Sequence, residues 1–395
     1  MITKAQVHEI VEQNRQEAID CLREIVQTPS VTGQEVAVSK VLTNWIKKAG
    51  LEPEIIGISP EHPNVLAEWN GSQPGKRFLF NGHMDTFPPT EGDNGMYGPF
   101  SGKVVDGYLY GRGSCDMKGG DAAALMAVTF LKRLGFDPKG SIVLSYMCEE
   151  EIGGRYGVKW VVKQDRLNGD FGICMEPTNG RVQVGHSGLW RALFTYTAEP
   201  ASSTYDHPSK NALEKAIIAI NALYEYRKKV RAKTDPNFGK PSLSITTLHA
   251  GKATNVHAAQ AQFSIDYRLI PGETHEMIQS EIFAILDGLK QQDPEMEYEY
   301  ELISDRPVLD VPEDSNIVKA CCEAYQEVTG SPAKLYRRHC GTDASTIQGY
   351  NGIMIPIWGA ADDENEISTP NEKINIENYL DSIEYYMLTV IKMMS

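Results

Sequence analysis

The sequence predicts an α/β fold, a main domain on a mostly parallel sheet with a ferredoxin-like α+β domain inserted into it. Three observations predict it. Short apolar runs alternate with helical stretches over the first half of the chain, the pattern of βα units. From about Leu189 the order changes to βαββαβ, the split ferredoxin-like unit. The alternation then resumes, and 395 residues are more than one core usually holds. The expected boundaries are 1–186 with 304–395 for the main domain and 187–303 for the insertion.

Each element follows from its own pattern. Val7, Ile10, Val11, Leu22 and Ile25 recur at helical spacing among polar residues and predict one amphipathic helix. No unbroken apolar core follows a basic start, so no secretory signal is expected there. A loop at 28–33 leads to a second helix ending at Gly50, with Val38, Leu42, Trp45 and Ile46 on its apolar face. Phe78, Leu79 and Phe80 read as a buried strand, 121–134 as a helix, and 142–147 and 171–175 as further strands. In the insertion, strands are expected at 189–197, 243–248, 263–267 and 297–302, and helices at 211–230 and 274–289.

Composition narrows the function. Hydrophobic residues make up 41% and charged residues 23%, ordinary for a folded protein. A formal net charge of −15 argues against nucleic acid, whose phosphates need a basic footprint. It does not exclude an anionic substrate, because a bound metal ion can dominate the local field. The seven cysteines are scattered, odd in number and form no C-x-x-C pair, which fits reduced thiols in a cytosol. No stretch approaches the roughly 20 apolar residues of a membrane span. A soluble, cytoplasmic protein without membrane or nucleic-acid partners is the expectation.

The chemistry-bearing residues fall at strand ends. His83 and Asp85 follow the 78–80 run, Glu149, Glu150 and Glu151 follow the 142–147 run, and Glu176 follows the 171–175 run. In open α/β sheets the carboxyl ends of strands converge on one crevice. Singly, each has a bland explanation. His83 alone reads as a hydrogen-bonded structural residue, Asp116 as the cap of the following helix, and the acidic triplet as a solvated loop. Together they read differently, because three adjacent carboxylates repel one another unless a cation or protons intervene. A donor set of His, Asp and Glu without thiolates suits zinc, cobalt or manganese in a catalytic site. Asp116, flanked by glycines, is placed to bridge two ions. A glutamate beside such an ion can take a proton from water whose pKa the ion lowers to roughly 7. Asp85, two residues from His83, can orient the imidazole.

Gly82-His83-Met84-Asp85-Thr86, the segment 111–120, Glu150-Glu151 before Gly153-Gly154, and Glu176-Pro177-Thr178 resemble the zinc exopeptidases and deacylases related to acetylornithine deacetylase. Succinyl-diaminopimelate desuccinylase, aminoacylase-1 and glutamate carboxypeptidase belong to that family. The resemblance continues through Gly341-Thr342-Asp343-Ala344 and Pro370-Asn371-Glu372, nearly the whole chain. It implies a zinc-exopeptidase-like catalytic domain, with His83, Asp116 and Glu176 on one zinc, Asp116 bridging, Glu151 on a second zinc, and Glu150 as general base. It also implies that the inserted domain is a lid and homodimer contact. Asn255, Arg268, Gly341 and Thr342 would contact substrate, Arg268 holding its carboxylate through a bidentate fork.

Two positions depart from the family. Its second zinc is completed by a His in H-x-P-N-E, where this chain has Ser368, whose neutral hydroxyl is a poor zinc ligand. A lid His that helps stabilise the oxyanion is replaced by Ser202, counting nine residues back from Asn211-Ala212. Losing an oxyanion donor costs on the order of 10²–10³ in rate. His186, His207, His257 and His339 are the remaining histidines near these motifs. Three readings fit: a working hydrolase with one tight ion or an altered second site, a catalytically silent small-molecule-binding or interaction protein, or a dizinc enzyme drawing its histidines from elsewhere. The expectation adopted is a metal-dependent hydrolase of a C–N amide bond (deacetylase, deacylase or dipeptidase), using one or two Zn²⁺, or Co²⁺ or Mn²⁺, on an N-acyl amino acid or dipeptide.

Overall fold

The N-terminal periodicity is carried by two helices, α1 (Lys4–Gln13) and α2 (Arg15–Gln27), where the sequence predicts one. Asn14 breaks the run: its backbone leaves the helical region and its side-chain amide donates to the Ile10 carbonyl at 2.7 Å. The computed structural model describes residues 2–90, 92, 95–199, 201–204, 211–361 and 366–395. The chain divides into two units, Met1–Gly185 with Leu309–Tyr336 and Thr342–Ser395, and His186–Val308 with Arg337–Gly341.

In the first unit α3 (Val36–Lys48) buries Val38, Leu42, Trp45 and Ile46. There follow β1 (Pro53–Ile56), β2 (Asn64–Asn70), β3 (Gln73–His83), β4 (Lys103–Val105), β5 (Tyr108–Tyr110), α4 (Lys118–Arg133), β6 (Lys139–Met147), α5 (Val158–Lys163), β7 (Phe171–Cys174) and β8 (Val182–His186). The main sheet has the order β1-β2-β6-β3-β7. The expected α/β sheet is present, parallel where the βα units meet and antiparallel along one edge. β3 pairs parallel with β6 and β7, but β2 pairs antiparallel with β6 and β1 antiparallel with β2, so the sheet is mixed. β1 and β2 lie outside the βα pattern and add an antiparallel edge to the parallel core. Beyond β7 the segment 354–357 runs parallel to it, with Gly172 N–H donating to Met354 and Cys174 N–H to Pro356, both at 3.0 Å.

The second unit contains β9 (Gly188–Thr197), α6 (Ala212–Ala232), β10 (Ser242–Ala250), β11 (Gln260–Leu269), α7 (His275–Gln292) and β12 (Tyr298–Arg306). Its sheet is antiparallel throughout, in the order β10-β11-β9-β12, the ferredoxin-like arrangement. Phe194, Phe263 and Tyr267 of the sheet form one core with Ile220 and Leu223 of α6 and Ile282 and Leu286 of α7. The unit extends to Val308, past the expected boundary at 303, because β12 stays paired with β9 through Arg306.

The chain then returns with β13 (Leu309–Asp310), α8 (Asn316–Thr329), β14 (Leu335–Arg338), α9 (Asp343–Asn351), β15 (Lys373–Asn375) and α10 (Ile376–Met394). Ala123, Leu125 and Met126 of α4 share the first unit's core with Ile383, Met387 and Val390 of α10. No helix among the described residues is long and apolar enough to cross a membrane.

Candidate metal centre

Parallel pairing sets the site. The register places His83 opposite Met147 of β6 and Asn81 opposite Cys174 of β7. The residues after each strand therefore emerge at the same edge of the sheet. Met84 N–H donates to Met147 at 2.8 Å and Met175 N–H to Asn81 at 2.9 Å, which continues the pairing up to the chemistry-bearing residues. Gly82 has to be glycine, since a Cβ there would lie 2.0 Å from the Asp121 Oδ1.

His83 is 1% exposed. Its Nδ1 lies 3.0 Å from the Asp85 carbonyl oxygen, and its Nε2 faces Asp116 Oδ1 at 3.2 Å and Glu176 Oε1 at 3.6 Å. Burial opposes charging this imidazole, but Asp116 and Asp85 outweigh it and raise its pKa well above the usual value. Asp85 braces the next segment. Its Oδ1 accepts the Glu150 N–H at 3.0 Å, and its Oδ2 accepts the Glu151 N–H at 3.2 Å and the Thr32 hydroxyl at 2.8 Å. Burial opposes the Asp85 charge, yet His83 and these donors hold its pKa below the usual value.

The acidic triplet divides rather than lying in solvent. Glu149 adopts φ +60° and turns away, with its carboxylate 2.9 Å from His62 Nδ1 and accepting the Tyr156 N–H. Glu150 and Glu151 form a single 3-10 turn, Glu150–Ile152. His83, Glu150 and Glu176 offer ligand atoms within 4.8 Å of one another, and so do His83, Asp116 and Glu151. Glu150, expected only as a base, is therefore also within reach of a ligand position. Burial, and then the nearby Asp116, push the Glu151 carboxyl up to about 11 and Glu176 well above its usual value. Carboxylates crowded this way against one imidazole edge fit a divalent cation, which would offset the repulsion that raises them.

Asp116 does not cap a helix. The N-cap of α4 is Met117, with no side-chain bond. Asp116 is held by its backbone, through Glu372 of the Pro370-Asn371-Glu372 motif. Glu372, 2% exposed, accepts the N–H groups of Cys115 at 3.0 Å and Asp116 at 3.1 Å on Oε1, and that of Ser368 at 3.2 Å on Oε2. Burial, and then Asp116, raise its pKa to about 7. Ser368 itself adopts φ +57°. Asp121, read only as a helix start, is fully buried, and neither of its carboxylate oxygens has a hydrogen-bond partner among the described residues.

Residues 79–392 match peptidase family M20/M25/M40. The chain belongs to that family. It is thus a metallohydrolase of C–N bonds. It is 26% identical over 383 residues to succinyl-diaminopimelate desuccinylase of Psychromonas ingrahamii, covering 95% of this chain and 98% of that one. In fold it is similar to the M20 metallo-carboxypeptidase Sso-CP2 of Sulfolobus solfataricus, with a TM-score of 0.78, 20% identity, and coverage of 95% and 99% of the two chains. The M20 protein YXEP of Bacillus subtilis, described as a dinuclear metal-binding peptidase, gives 0.69, 18%, 97% and 99%.

In the second unit of this M20 chain, Arg268 is already engaged. Its Nε and Nη2 donate to the Asp266 carboxylate at 2.7 and 3.3 Å, and its Nη1 donates to the His339 carbonyl at 2.9 Å. Arg191 shares the same Asp266 at 2.7 Å. Asn255 is exposed and accepts the Ser203 N–H at 3.2 Å. Ser202 is exposed, bonded to the Thr204 hydroxyl at 2.9 Å and bridged to Val256, while His257 N–H donates to Ala201. His257 is thus the described histidine that the backbone places beside position 202; His207 lies outside the described residues. His339 Nδ1 is 2.9 Å from the buried Ser187 hydroxyl. His186 is buried, and burial lowers it to about 4, which keeps it neutral. Gly341 packs against Arg306, where a Cβ would meet its side chain at 2.7 Å. Thr342, in the first unit, is the N-cap of α9 and is 5% exposed.

Proposed function

We propose that this chain hydrolyses the amide bond of an N-acyl amino acid or small peptide with a free carboxylate. His83, Asp116, Glu151 and Glu176 hold divalent metal in this reading, and Glu150 is the general base. The observation that carries it is the facing of His83 Nε2 toward Asp116 and Glu176, with Glu150 and Glu151 presented on a turn anchored by Asp85. The desuccinylase named above supports an acyl amino acid as substrate.

His83, Asp116, Glu151 and Glu176 would hold the divalent ion, which when bound would supply Lewis acidity for the scissile carbonyl and lower the pKa of water. Glu150 takes the proton of the attacking water and delivers it to the leaving nitrogen, general acid–base work suited to a buried carboxylate. His83 is fixed by its Nδ1 contact to the Asp85 carbonyl, which leaves Nε2 as the ligand atom. Zinc suits the donor set, and cobalt or manganese would serve. With Ser368 at the position where the family motif has a His, a second ion would have one ligand fewer and would be bound more weakly.

Arg268 contacts the substrate carboxylate with the N–H groups it does not give to Asp266 and His339. Asp266, shared with Arg191, fixes the direction of the guanidinium, so Arg268 orients the substrate carboxylate while the group keeps a net positive charge. A homodimer through the second unit is supported by β10. It is an edge strand whose Leu248 is 43% exposed, and α6 presents Ile217 and Ile218 at 42% and 40%. Seven cysteines without a disulfide among the described residues support a reducing cytoplasm.

Incubation with a chelator, followed by dialysis and addition of Zn²⁺, Co²⁺ or Mn²⁺, tests this reading on a panel of N-succinyl and N-acetyl amino acids and dipeptides. Hydrolysis lost with the metal and restored by it is the expected result. No turnover of any panel member in the metal-loaded protein would overturn it.

A further inference from the structure

Glu372 takes no part in the proposed proton transfers and holds no ion, yet it is buried beside the candidate centre. Its two oxygens serve two separate segments of chain. Oε1 accepts the main-chain N–H groups of Cys115 and Asp116, and Oε2 accepts that of Ser368. Arg112 Nε lies 3.9 Å from Oε2, and Arg112 is itself 3% exposed. A buried carboxylate is costly unless its lone pairs are taken, and here they are taken by the segment carrying the bridging candidate and by the segment carrying Ser368.

Ser114 N–H to Gly111 and Lys118 N–H to Gly113 close the turn around Asp116, and within it the Cys115 and Asp116 N–H groups both go to Glu372. Asp116 lies ahead of α4, and Met117 supplies no cap bond. By contrast, the chain around Glu372 is anchored without its carboxylate. Gly111 N–H donates to the Glu372 carbonyl at 2.9 Å, and β15 pairs with β5 from Lys373 onward. The side chain is therefore more important to the Asp116 loop than to its own.

We propose that Glu372 is the positioning residue of the centre: its carboxylate sets the Asp116 and Ser368 backbones in one register and so determines how tightly a divalent ion is held. This rests on reading Asp116, with His83, Glu151 and Glu176, as a ligand. A glutamine at 372 would turn an amide N–H₂ toward main-chain N–H donors, leaving at least one of them without an acceptor. Partners of this kind, acting behind the ligands, change metal affinity by about 10–100-fold when altered.

The test is Zn²⁺ affinity measured by titration against a competing chelator, for the wild-type chain and E372Q, with the Co²⁺ visible spectrum of each. Melting temperature in excess chelator separates metal binding from folding. The expected result is a loss of about 10–100-fold in Zn²⁺ affinity and a changed Co²⁺ spectrum, in a variant that still melts cooperatively in chelator. If E372Q does not fold, E372D keeps the charge one methylene shorter and carries the same expectation of weaker binding. Wild-type affinity in the folded variant overturns the proposal. A wild-type chain that binds no Zn²⁺ or Co²⁺ overturns the centre itself, and the role of Glu372 with it.

Discussion

Asp85 holds Glu150 by its backbone rather than by its charge: the carboxylate accepts the Glu150 N–H at 3.0 Å while the Asp85 carbonyl stands 3.0 Å from His83 Nδ1. One residue thus orients the imidazole and the turn that presents the candidate base. Replacing Asp85 by Asn keeps the shape but presents a donor to the Glu150 or Glu151 N–H. The expected outcome is a loss of about 10–100-fold in metal affinity or in kcat/KM. Steady-state kinetics at saturating metal, beside a metal titration, check it. Unchanged values for both would remove Asp85 from the site.

Glu150 raises a sharper question, because its carboxylate is near enough to His83 and Glu176 to be a ligand as well as a base. Glu150→Gln separates the two roles. As a base, its loss lowers kcat by about 10²–10⁴ and leaves metal content untouched, as elemental analysis of the purified protein would show. A matching drop in bound metal would instead make Glu150 a ligand, and the base would have to be sought elsewhere.

The parts of this site that were legible in the sequence share a physical cause. His83, Glu150, Glu151 and Glu176 each follow an apolar run, and parallel strands deliver their carboxyl ends to one edge. The turning away of Glu149 was not legible, because it depends on φ +60° and on His62. Glu372 was unreadable for a different reason. Its partners Cys115 and Asp116 lie 257 and 256 residues away, and no local pattern marks a carboxylate that binds distant backbone. In the fold, βαββαβ order was readable from alternation and length. The antiparallel β1 and β2 were not, since they lie outside the βα rhythm that suggested a parallel sheet. Asn14 hid a helix break because apolar spacing continues across it.

Ser368 predicts a gain of function rather than a loss. Its backbone N–H is fixed by Glu372, whose other oxygen holds the Asp116 N–H, so the Glu372 carboxylate ties the position to the segment carrying the bridging candidate. The left-handed φ of +57° is one that His tolerates better than most residues. Ser368→His is expected to raise the number of tightly bound Zn²⁺ ions from one to two per chain, read by titration with a competing chelator. An unchanged stoichiometry in a folded variant would mean that position 368 does not face the centre.

Stability offers a test away from the chemistry, on α10. Asp381 is half-buried, and burial together with Glu384 and Glu377 raises its pKa to about 6; Glu12 adds to the rise, His8 opposes it, and Tyr385 is a hydrogen-bond partner. Its folded pKa therefore lies above its unfolded value near 3.8. Between about pH 4 and pH 6 the folded chain binds the extra proton, so this group's contribution to stability falls as pH rises through that window and stays unfavourable above it. Asp381→Asn removes the penalty and keeps the shape. It is expected to stabilise the protein by about 1–2 kcal/mol at pH 7, an amount reduced by solvent screening, and by almost nothing near pH 4. Urea unfolding of both proteins across this range measures it. An Asn variant less stable than wild type at pH 7, or a difference that does not vary with pH, would mean that Asp381 is stabilised where it sits and that the charges around it do not govern its titration.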